Sequence, residues 1–87
     1  MKLDPGFLTH ETKGEHYIIS TGGTKFSGII KNNETAAFIV ECLKSETTES
    51  DIADKLMKEY SGAERSEVEI DVAEIIGKLR SIGAILE

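Results

Sequence analysis

Of the 87 residues only one is cysteine, one is proline and none is tryptophan. The lone thiol, Cys42, closes no internal disulfide, so a reducing, cytoplasmic setting is expected. No apolar run approaches the roughly 18 residues that a membrane-spanning helix needs. The opening Met-Lys-Leu-Asp-Pro-Gly also lacks the apolar stretch of a signal peptide, so no membrane partner is expected. Basic groups are in the minority: 10 Lys and Arg stand against 16 Asp and Glu, a net charge of −6. That balance argues against a partner held mainly through phosphates. His10 and His16 have no cysteine or carboxylate at metal-ligand spacing, and they are expected as exposed hairpin residues with no metal. The pair Gly22-Gly23 is not set between a strand and a helix start, as a phosphate loop requires. Cys42 has no evident activating base, and no carboxylate pair stands out from the general acidity. No catalytic residue and no cofactor is therefore assigned.

What is present is the material of a small globule. At 39% hydrophobic and 30% charged, residues 1–87 are expected to form one domain that buries roughly 60–65% of its unfolded surface. The charge is uneven. Residues 1–33 carry 4 basic and 3 acidic groups, a net of +1, while residues 34–87 carry 6 and 13, a net of −7. This contrast fits an ordinary solvated helical surface. It also fits a mildly basic sheet edge that attracts an acidic segment of a partner.

The most apolar stretch is a predicted helix over residues 33–44. Ala36, Ala37, Phe38, Ile39, Val40, Cys42 and Leu43 occupy almost its whole circumference, leaving Glu34, Glu41 and Lys44 as a wet side. Such a helix must be covered by other elements. Asn32 or Asn33 suits its N-cap, and Glu34 lies at the favourable end of the dipole.

Strands are predicted before it over residues 7–12, 16–20 and 26–31, with a turn at Asp4-Pro5-Gly6 and a tight reversal at Lys13-Gly14-Glu15. Gly28 suits a bulge or a close backbone approach. No helix-length segment separates the strands, so the sheet is expected to be antiparallel.

Helices are predicted after it over residues 48–60 and 66–82. Thr48 caps the first, Ile52, Leu56 and Tyr60 form its stripe, and Gly62 stops it. Ser66 and Glu69 have the form of a capping box. Val68, Val72, Ile75, Leu79 and Ile82, at spacings of 4, 3, 4 and 3, are expected to pack on the central helix, with Asp71, Glu74, Lys78 and Ser81 in water. A flank of Glu69, Ala73, Ile76 and Arg80 lies beside that stripe. It either rests against the sheet or second helix, or walls a groove. Gly83 ends the helix, and Ala84-Ile85-Leu86 is a short apolar tail.

Three antiparallel strands followed by a three-helix bundle describe an α+β, winged helix-turn-helix-like domain. The strand ending Phe26-Ser27-Gly28, the run Asn33-Glu34-Thr35-Ala36-Ala37-Phe38-Ile39, and Thr48 before the second helix carry a resemblance. So do Asp71-Val72, Ile75-Ile76, Leu79 and Gly83. Over about Leu3 to Leu86 the chain resembles the PqqD-like family, the recognition elements of ribosomal peptide maturation. Asn32 stands where that family usually has leucine, and Val40 where it often has tryptophan.

The resemblance implies a non-catalytic adaptor. It would hold the leader segment of a precursor peptide as an extra strand between the third strand and the third helix. It would then present that leader to a modifying enzyme, often a radical S-adenosylmethionine protein, in pyrroloquinoline quinone, lasso-peptide or related biosynthesis. An edge strand with unpaired N–H and C=O groups agrees with this. Carried onto this chain, the peptide-binding residues are Gly28, Ile29, Ile30 and Lys31 on the strand, and Glu69, Val72, Ala73, Ile76 and Arg80 on the helix. Lys31 and Arg80 are expected to meet acidic leader residues.

Two rival readings stay open. In an acidic protein-interaction or dimerisation module, the third strand of one copy would pair with that of a second, giving a homodimer. In a DNA-binding regulator the third helix would enter the major groove. Residues 64–87 hold Glu64, Glu67, Glu69, Asp71, Glu74 and Glu87 against Arg65, Lys78 and Arg80, a balance that a polyanion repels, so no nucleic-acid partner is expected.

Overall fold

The computed structural model describes residues 1–20 and 28–87. The expected loop at Gly22-Gly23 and the Phe26-Ser27 start of the third strand lie outside the described residues. Along the chain the elements are β1 (Lys2–Leu3), β2 (Phe7–Thr12), β3 (Glu15–Ser20), β4 (Ile29–Asn32), α1 (Glu34–Cys42), α2 (Glu49–Glu59), α3 (Arg65–Ser81) and β5 (Ile85–Leu86). This is the expected α+β plan, a three-stranded antiparallel sheet of order β2-β3-β4 followed by three helices.

Local chemistry accounts for most of the boundaries. Lys13 and Gly14 both take positive φ, as a two-residue type I′ hairpin turn demands, and this turn fixes the β2–β3 register from Phe7↔Ser20 to Thr12↔Glu15. Asp4 makes the preceding turn by accepting the Gly6 N–H on its carboxylate at 2.8 Å. Asn33 caps α1 and Thr48 caps α2, each side-chain oxygen accepting an N–H three residues on, from Ala36 and Asp51. Such a cap contributes about 1 kcal/mol. At the end of α3 the Gly83 N–H bonds Arg80 and the Ala84 N–H bonds Leu79, the paired closure that a left-handed glycine makes possible.

Two expectations need correction. The capping box does not form: α3 begins one residue earlier, at Arg65, with Glu64 at the cap and no side-chain cap bond. Ser66 is thereby drawn inside the first turn. The tail after Gly83 is a strand, because β5 pairs antiparallel with β1 (Lys2↔Leu86, Leu3↔Ile85). Leu3 N–H also bonds the Leu43 carbonyl and Asp4 N–H that of Ala84, each at 2.8 Å, so this clasp holds the end of α1 against the end of α3.

α1 is the covered post its composition requires. Ile39 and Leu43 are fully buried, and they join Ile52 and Leu56 of α2, Val72 and Ile76 of α3, and Ile18 of the sheet in one core. Truncating a core Leu or Ile to Ala costs about 2–5 kcal/mol. Ala37 and Phe38 are half-buried, the Phe38 ring lying edge-on to Tyr60 with centroids 6.1 Å apart.

Candidate functional site

The register decides what each strand residue faces. β3 and β4 pair Ile18↔Ile30 and Tyr17↔Lys31, so Ile30 and Asn32 share the inner face with buried Ile18, while Ile29 and Lys31 share the outer face with Tyr17. Gly28 lies before β4 at φ 141°, and its carbonyl accepts the Ser20 N–H at 3.0 Å. By antiparallel alternation Ile30 and Asn32 then bond to β3, and Ile29 and Lys31 direct their N–H and C=O groups away from it. Among the described residues no strand pairs with that side, so β4 is an open edge.

Beside this edge lies a cleft of about 210 Å³. Its strand side is Ile30, Lys31 and Asn32, its floor Asn33 and Ala36 at the start of α1, and its far wall Ile75, Lys78, Leu79 and Ile82 on α3. Ile75 and Ile82 are half-buried, which leaves apolar surface facing an unfilled space.

The four expected strand residues therefore come together on the open edge. The expected helix residues do not line the cleft. Val72 and Ile76, 1% and 0% exposed, belong to the core. Glu69, Ala73 and Arg80 sit on the opposite margin of the buried stripe from Ile75, Lys78 and Ile82, as the 3.6-residue period requires. Glu69 is bonded by Arg65 at 2.9 Å, in the same helix, and Arg65 also reaches Asp54 of α2. Arg80 bonds Glu87 beyond β5, which holds that carboxyl below its ordinary range. The stripe expected from spacing contained Ile75 and Ile82. The buried set is instead Val68, Val72, Ile76 and Leu79. Sequence reasoning missed Ile75, Lys78, Leu79 and Ile82 as cleft residues. The available signal was a second apolar row, Ile75-Leu79-Ile82, adjoining the first.

On the outer face of the edge, Glu15 accepts bonds from the Tyr17 hydroxyl and from Lys31 Nζ, the latter at 3.0 Å. The Tyr17 hydroxyl first, and Lys31 second, push the Glu15 carboxyl below its usual range, while Glu15 pushes Lys31 up. The two histidines fall on opposite faces, since His10 pairs Tyr17 and His16 pairs Glu11. His10 is exposed, whereas His16 is half-buried with Nδ1 3.5 Å from Glu11, which corrects the expectation that both are exposed. No metal-binding group of three or more such side chains occurs among the described residues. Burial pushes the Cys42 thiol above its ordinary range, which disfavours the nucleophilic thiolate. No described helix is long and apolar enough to cross a membrane.

Solved structures share this architecture. A lasso peptide synthetase B1 protein complexed with its leader peptide is 27% identical, with a TM-score of 0.78 across 99% of this chain and 96% of that one. TbiB1 in complex with the TbiA(beta) leader peptide has the same fold, at 17% identity and a TM-score of 0.77 over 93% of this chain and 90% of that one. No curated protein sequence matches significantly. Residues 12–85 match the family described as Coenzyme PQQ synthesis protein D (PqqD), and the chain belongs to that family.

Proposed function

We propose that this chain binds the leader segment of a ribosomally made precursor peptide as an added strand on β4 and presents it to a modifying enzyme. It contributes no catalytic group of its own. The observation that carries the reading is the open β4 edge running beside an unfilled apolar cleft. Main-chain bonds to Ile29 and Lys31 supply sequence-tolerant affinity, and the cleft takes alternate leader side chains. Ile30, Ile75, Leu79 and Ile82 then choose apolar leader residues, with Lys78 at the rim. The lasso peptide B1 protein, alike over nearly the whole chain and solved with a leader peptide, supports the same assignment.

Membership of the family supports a radical S-adenosylmethionine enzyme as the recipient, in pyrroloquinoline quinone or related peptide biosynthesis, acting in the cytoplasm. The test is an amide-shift titration of labelled protein with the leader of the precursor encoded beside it. Shifts centred on Ile29–Asn32 and on Ile75, Lys78 and Ile82 are expected. Shifts confined to other surfaces overturn the reading.

The same open edge favours one rival, a homodimer through paired β4 strands. In that case leader peptide would dissociate the dimer in sedimentation across a concentration series.

A further inference from the structure

Of the large apolar side chains exposed outside the cleft, two lie on the three-stranded sheet: Leu8 is 57% exposed and Ile29 66% exposed. They are not scattered. Leu8 pairs Ile19, and Ile19 pairs Ile29, so the three form one straight cross-strand row over the outer face of the sheet. The next row is His10, Tyr17 and Lys31, read from the same register. It carries Glu15, whose carboxylate joins Tyr17 and Lys31. Both rows run up to the open β4 edge and stop there.

A strand added to that edge extends every row by one residue, since side chains on directly opposed residues lie on the same face about 5 Å apart. We infer that the outer face of the sheet reads the leader as well as the cleft does. The leader residue set beside Ile29 is apolar and continues the Leu8–Ile19–Ile29 row. The one set beside Lys31, two positions away, is acidic and shares the Lys31 ammonium with Glu15. The residue between them points to the opposite face and enters the cleft. Added antiparallel, as β3 and β4 pair, the leader runs opposite to β4, so the substrate class is a strand of N-to-C pattern acidic–apolar–apolar, and Ile29 and Lys31 are its specificity-determining residues on the solvent side. This rests on the β4 reading given above.

The probe is the synthetic peptide Ac-Thr-Thr-Thr-Glu-Leu-Val-Thr-Thr-Thr-amide, with two variants in which Val or Glu is replaced by Lys. Each is titrated by amide shifts into the wild-type protein and into Ile29→Glu and Lys31→Glu. Both substitutions are at exposed positions, and thermal melts check that the fold survives. The wild type is expected to prefer Glu over Lys at the acidic position by about threefold, the scale of a cross-strand pair. Lys31→Glu is expected to reverse that preference, and Ile29→Glu to favour Lys over Val at the position beside residue 29. If the β4 and cleft amides shift but the preferences stay the same in all three proteins, outer-face reading is overturned and strand addition stands. If none of the peptides shifts β4 or the cleft in any protein, both fall.

Discussion

The two margins of α3 differ in what they do with their side chains. On the margin away from β4, Glu69 and Arg80 are tied to neighbours, Arg65 and Glu87, and Ala73 is small and exposed. On the margin beside β4, Ile75 and Ile82 keep apolar surface against a cleft, and Lys78 has no ion pair among the described residues. Between them Val72 and Ile76 are sealed in the core. Satisfied charges mark a surface that needs no partner, whereas half-buried isoleucines beside an unpaired strand mark one that does.

The sharpest way to break this comparison is to truncate the adjacent isoleucines. Ile76→Ala removes a fully buried side chain and is expected to cost about 3 kcal/mol, with Ile75→Ala at about 1 kcal/mol because its side chain is already partly in water. Urea unfolding of the two variants measures the difference. Equal losses would mean that Ile75 belongs to the core and that the cleft wall is misassigned.

A second contrast moves from stability to binding. Ile82→Asp places a charge in the cleft wall and is expected to weaken leader binding at least tenfold, an effect of about 1.4 kcal/mol or more. Ala73→Asp, on the other margin, is expected to leave it unchanged. Anisotropy with a labelled leader peptide reads both. A loss at Ala73 matching that at Ile82 would move the peptide to the flank that the family resemblance implied.

That flank lies away from the cleft beside β4, and the difference shows what the sequence could say. Hairpin, caps and glycine stops were legible because each is a local contract: Lys13-Gly14, Asn33 and Thr48 meet their partners within a few residues. The open edge of the sheet was legible for the same reason, since an edge follows from strand order. The helix wall of the cleft was not. A period near 3.6 locates a buried stripe, but Val68-Val72-Ile75-Leu79-Ile82 and Val68-Val72-Ile76-Leu79 fit it almost equally well. Only the position of β4 decides which flank becomes the wall. The β1–β5 clasp was hidden too, because two-residue strands at opposite ends of the chain leave no periodic trace.

Association kinetics sharpen the difference between the cations of the two margins. Lys78 lines the cleft with no ion pair among the described residues, while Arg80 is held by Glu87. If the leader is acidic, raising salt slows its association, and Lys78→Gln is expected to lower the on-rate by about twofold with Arg80→Gln nearly silent. Stopped-flow mixing at two ionic strengths measures this. An on-rate that falls for Arg80→Gln but not for Lys78→Gln would return the charge reading to the far margin.

The smallest effect expected concerns Arg80 itself, and its sign is fixed by the direction of the shift. Arg80 holds the Glu87 carboxyl below its ordinary value of 4.5 in the folded chain. The unfolded state therefore takes up a proton first as the solution is acidified. The stabilisation is fully present above 4.5 and is lost as pH falls through the lower folded value. Both groups are exposed, so solvent screens the pair and the gain is slight. Arg80→Gln should leave a melting temperature a little lower than wild type at neutral pH, and the two curves should converge under acid. A gap that persisted unchanged on acidification would mean that Arg80 stabilises the fold through something other than the Glu87 pair, such as the contact of its guanidinium N–H with the Met1 sulfur at 4.0 Å, which survives protonation of Glu87.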